Sequence, residues 1–69
     1  MTEETRKAVE RLRNGHIIEC SADAYRSEIR DALIRFALDS AKNNDTARMR
    51  IALAEVNRLD EQHGYGAFD

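Results

Sequence analysis

Tyr25-Arg26-Ser27-Glu28-Ile29-Arg30-Asp31-Ala32-Leu33-Ile34-Arg35-Phe36-Ala37-Leu38 is the stretch whose reading decides the fold. At about 100° per residue, Tyr25, Ile29, Ala32, Leu33 and Phe36 form one compact apolar stripe. Ile34, Ala37, Leu38 and Ala41 carry the apolar surface around to the other side. A surface helix of a monomer shows a stripe a little over ~100° wide. An arc this broad belongs to a central helix with more than one neighbour. Ser21 or Asp23 can cap it, and the pattern runs from about residue 22 to 43.

Outward from that helix, Asn43-Asn44-Asp45 reads as a turn in which Asn44 or Asp45 caps a third helix, about 46 to 63. Met49, Ala52, Leu53, Val56, Leu59 and His63 recur on one face, with Arg50, Glu55, Asn57, Arg58 and Glu61 opposite. Such a helix suits antiparallel packing on the second. Ile51 falls on the polar side and is a candidate external contact. Toward the N-terminus, about residues 2 to 13 form a first helix, with Glu3 and Glu4 at its start and Arg11 and Arg13 near its end. Its stripe of Thr5, Ala8, Val9 and Leu12 is thin, and a helix this short needs something to pack on. Asn14-Gly15 supplies a left-handed exit. In the connector His16-Ile17-Ile18-Glu19-Cys20, one or both isoleucines plug the core beneath a loop. Residues 64–69 are a short tail whose Tyr65 and Phe68 can fold back or dock on a partner.

The expected fold is therefore all-α: a single domain spanning 1–69, three helices, the last two an antiparallel hairpin. Its 69 residues include no proline, ten alanines and four aromatics, so the core is small. A chain of this size buries only ~60% of its unfolded surface, and one cysteine forms no internal disulfide. A second copy of the chain is the natural support. The expected dimer interface is Tyr25, Ile29, Leu33, Ile34, Phe36 and Leu38.

Chemistry-bearing patterns are sparse. His16 and Cys20 could meet in the connector, but a nucleophilic cysteine also needs an orienting group and an oxyanion pocket. No second ligand pair stands at zinc spacing, and no glycine-rich phosphate loop occurs. No catalytic residue, cofactor or metal is assigned. The net charge of −2 is far from that of a typical nucleic-acid-binding domain. No apolar run is long enough to span a membrane. The acidic, polar start is unlike a signal peptide, so the cytoplasm is the expected compartment. Arg6, Lys7, Arg11 and Arg13 form a basic cluster on the first helix, a solvated face or an anion-facing patch. Arg26 and Arg30 lie one turn apart within the apolar arc, a composition of interface hot spots and also of edge arginines that merely pack their stems.

Three resemblances bear on function. Arg26-Ser27-Glu28-Ile29-Arg30-Asp31-Ala32-Leu33 resembles the second helix of ribbon-helix-helix repressors and antitoxins, which implies a dimer. Nothing before residue 2 can form that family's DNA-reading ribbon. The segment from Asn44 through Gly64-Tyr65, with Ala52-Leu53, Asn57-Arg58-Leu59-Asp60 and His63-Gly64-Tyr65, resembles the C-terminal helix of some phage terminase small subunits, without their helix-turn-helix. As a whole, a single acidic helical domain of this length without a catalytic constellation is similar to phage-encoded quorum-sensing anti-activators. That resemblance implies a homodimer that binds a host LuxR-type transcription factor and keeps it from DNA. The expected function is a non-enzymatic inhibitor of a host regulatory protein, contacting its target through Arg11, Arg13, Ile17, Ile18, Arg26 and Arg30. A small DNA-binding regulator or a phage DNA-packaging component are the competing readings.

Overall fold

The computed structural model describes residues 2–64. Tyr65 and Phe68 lie outside the described residues. The fold is all-helical, with three helices and no strand among the described residues.

Helix α1, Glu3–Arg13, begins where the Thr2 hydroxyl accepts the Thr5 amide at 3.2 Å. The acidic first turn and basic last turn oppose the partial charges of the helix ends. It closes in a Schellman motif: the His16 amide donates to the Arg11 carbonyl at 2.8 Å and the Gly15 amide to that of Leu12 at 3.0 Å. Gly15 has φ +79, which glycine adopts without a Cβ clash.

Helix α2 spans 22–42 in three parts: an α-turn Ala22–Ala24, a π-helical turn Tyr25–Ile29 and an α-helical stretch Arg30–Lys42. Of the two candidate caps Ser21 is the one used, its hydroxyl accepting the Ala24 amide at 3.1 Å. The π turn breaks the expectation of a uniform helix. A second Schellman motif ends α2, with Asn44 at φ 59 and the Asp45 amide donating to the Ser40 carbonyl at 2.8 Å. Asp45 then caps helix α3, Thr46–Gln62, by accepting the Arg48 amide at 3.1 Å. One residue thus ends one helix and starts the next.

The core joins Ala8 and Leu12 of α1, Ile18 of the connector, Tyr25, Ile29, Leu33 and Ala37 of α2, and Ala52, Val56 and Leu59 of α3. Ile18, Ile29, Leu33 and Leu59 are fully buried and each stabilises the fold by roughly 1.5–3 kcal/mol. α2 packs most extensively on α3, and α1 touches both. Two neighbours therefore share the broad apolar arc of α2. This corrects the interface assignment of Tyr25, Ile29 and Leu33: each has no exposed surface within a single chain, so none can meet a second copy. Ile34 and Phe36 are half-buried against the core, and Leu38 stays 59% exposed. On α3, Leu53 departs from its expected inward place and is exposed, and Ile51 faces outward as its position in the pattern indicates.

Candidate interaction surface

The two connector isoleucines take opposite roles. Ile18 is 1% exposed and completes the core, whereas Ile17 stands 61% exposed. The backbone carrying Ile17 is pinned from three directions. Arg11 Nε donates to the Ile17 carbonyl at 2.8 Å. The Ile18 amide donates to Glu55 Oε2 at 3.0 Å, and Arg58 donates to the Ile18 carbonyl at 2.7 Å. Glu55 and Arg58 are themselves an ion pair at 2.8 Å. The bond from Arg58 holds the Glu55 carboxyl below its ordinary pKa; burial opposes this and the Ile18 amide reinforces it. Glu55 and Arg58 belong to the polar face of the helical pattern, where they read as solvated charges. Only the return of the connector over α3 gives them this task.

The arginines of the apolar arc bond to α3 and its end. Arg30 forms a two-pronged ion pair with Asp60, at 2.9 and 3.2 Å. The Tyr25 hydroxyl donates to the same carboxylate and also lies 3.3 Å from the Val56 carbonyl. Burial pushes the Asp60 carboxyl up, but the bonds from Arg30 and Tyr25 outweigh it and hold the pKa below the ordinary value. Burial and then the Asp60 bond push the Tyr25 phenol well above its usual range. Arg26 donates to the His63 carbonyl at 3.2 Å, and the His63 ring lies on Tyr25 with centroids 5.2 Å apart. The target-facing assignment of Ile18 is thereby corrected, because Ile18 is core; Arg26, which is exposed, and Arg30, which is half-buried, tie α2 to the end of α3. Asp60, which completes this cluster, carries no distinguishing signal in the helical pattern.

Arg11, Arg13 and Ile17 remain on the surface. The Arg13 guanidinium lies over the Phe36 ring, 6.0 Å from its centroid. Beside this pair a groove of about 450 Å³ runs between α1 and α2, floored by Val9, Ala32 and Phe36 and rimmed by Arg13, Asp31 and Arg35. Two further hollows share residues with it, one lined by Phe36 and Ile51 and the other by Arg35 and Leu38.

Burial, with Glu4 and then Glu55 adding to it against Arg58, raises the Cys20 thiol pKa, which disfavours the nucleophilic thiolate. No group of three metal-ligating side chains occurs among the described residues, and none of their helices is long and apolar enough to cross a membrane. No protein-family model, curated protein or solved structure matches this chain.

Proposed function

We propose that this chain is a non-enzymatic protein-binding module that inhibits a host regulatory protein in the cytoplasm, working as a homodimer of antiparallel helical hairpins. The observation that carries the reading is Ile17, a large apolar side chain held out to solvent on a backbone fixed by Arg11, Glu55 and Arg58. A backbone fixed before binding loses less entropy when a partner covers the side chain it carries. Arg11 and Arg13 precede it at the end of α1 and supply the charged edge of such a contact. Leu38, with half-buried Ile34 and Phe36, supplies the apolar surface for a second copy. The similarity in type to phage quorum-sensing anti-activators makes a LuxR-type transcription factor the first partner to test.

In a titration of such a factor against the chain, binding is expected, with loss of it in Ile17→Asp while the helical spectrum is unchanged. Equal binding by Ile17→Asp rejects this surface. Light scattering should give twice the chain mass of 7.9 kDa, falling to one chain in Leu38→Glu. A DNA-binding regulator would instead bind duplex DNA with a steep loss on added salt, because phosphate contacts release counterions.

A further inference from the structure

Among the described residues α2 alone leaves α geometry, and it does so where it meets both neighbours. The Arg30 amide donates to the Tyr25 carbonyl, five residues back, so this turn holds one residue more than an α-helical turn. Its edges grip different elements. On one side Tyr25 and Arg30 hold Asp60 of α3. On the other, Glu28 within the turn accepts the Thr2 amide at 2.7 Å, and Thr2 is the N-cap of α1. α1 has only 11 residues and buries only Thr5, Ala8 and Leu12. A helix of that length depends on its docking. Once docked, it contributes Val9 and Arg13 to the lining of the groove.

We infer that the π turn is a register device in which Asp60 selects the π form and the π form keeps α1 docked. The alternative is a relaxed, fully α-helical register. It returns the surplus residue toward the connector and rotates the residues before Arg30 by about 100°. Tyr25 then leaves Asp60, Glu28 leaves Thr2, and α1 loses the contact that holds its first turn. Leaving the π form also turns Tyr25 and Ile29, neither of which has exposed surface, away from the core, so the π form is held by that burial together with the side-chain bonds to Asp60. The groove between α1 and α2 thus has a closed and an open state, governed from α3.

Amide hydrogen exchange by NMR on the full chain tests this, because it resolves opening element by element. In Asp60→Asn, α1 amides should lose at least about ten times more protection than the Val56 and Leu59 amides of α3. The contacts of Tyr25 Hα with the amide five residues on should give way to contacts four residues on. Deleting Ser27 in that variant removes the surplus residue, and α1 protection should return. Equal losses in α1 and α3, or no recovery on the deletion, overturn the device. Should Asp60→Asn not fold, Tyr25→Phe removes only one bond to the carboxylate. It should show the same ordering at smaller amplitude, and equal losses there also overturn the proposal.

Discussion

Tyr25 and Arg30, five residues apart on one helix, donate to the same carboxylate of Asp60. In an α-helix, positions five apart point about 140° away from each other. The π turn between them removes that divergence, because its closure over five residues stacks the two side chains on one face. The irregular turn and the ion pair are therefore one feature.

Because three groups share one site, their losses should not add. Asp60→Asn is expected to lower stability by about 2–3 kcal/mol, since it leaves a half-buried guanidinium without its charge partner. Tyr25→Phe alone should cost about 1 kcal/mol, and much less in the Asp60→Asn background. Urea midpoints of the two single variants and the double variant measure this. Additive losses would mean that Tyr25 gains its stability elsewhere.

Acid should weaken the fold through the same carboxylates. Asp60 and Glu55 have folded pKa values below their unfolded ones. Their contribution is therefore fully present above the ordinary carboxylate range of about pH 4 and is lost as pH falls through the folded values. Unfolding followed from pH 6 down to 2.5 should show a decline that is shallower in Asp60→Asn and in Glu55→Gln. An unchanged slope in both variants would place the acid sensitivity on other groups.

The two adjacent isoleucines should behave in opposite ways. Ile18→Ala removes a core side chain and should cost about 2–5 kcal/mol. Ile17→Ala should change stability by no more than about 0.5 kcal/mol, because its side chain is already in water. Thermal unfolding of the two variants side by side decides the point, and similar losses would contradict the division between them.

The left-handed exits give a backbone test. Gly15→Ala should cost about 1–2 kcal/mol although no atom lies within 4 Å of the added Cβ, because φ +79 itself is strained for an L residue. Asn44→Gly should be neutral or slightly stabilising at φ 59. Denaturant midpoints check both.

Local signals determined much of this protein. The helix limits expected at 2–13, 22–43 and 46–63 lie within one residue of those observed, because Thr2, Ser21 and Asp45 cap, and Asn14-Gly15 and Asn44 exit, through their own side chains and backbone torsions. The buried stripe of α1 was also legible, since an amphipathic helix has only one apolar face to turn inward. Tertiary structure decided the rest. Tyr25, Ile29 and Leu33 read as interface until α1 and α3 closed over them. Arg30 read as a surface anchor until Asp60, 30 residues on, came within 2.9 Å. Glu55 and Arg58 read as solvated until the connector crossed them. A periodic pattern states which side of a helix is apolar, but only the packing of distant segments settles which charges find partners and which of two neighbouring isoleucines is left in water.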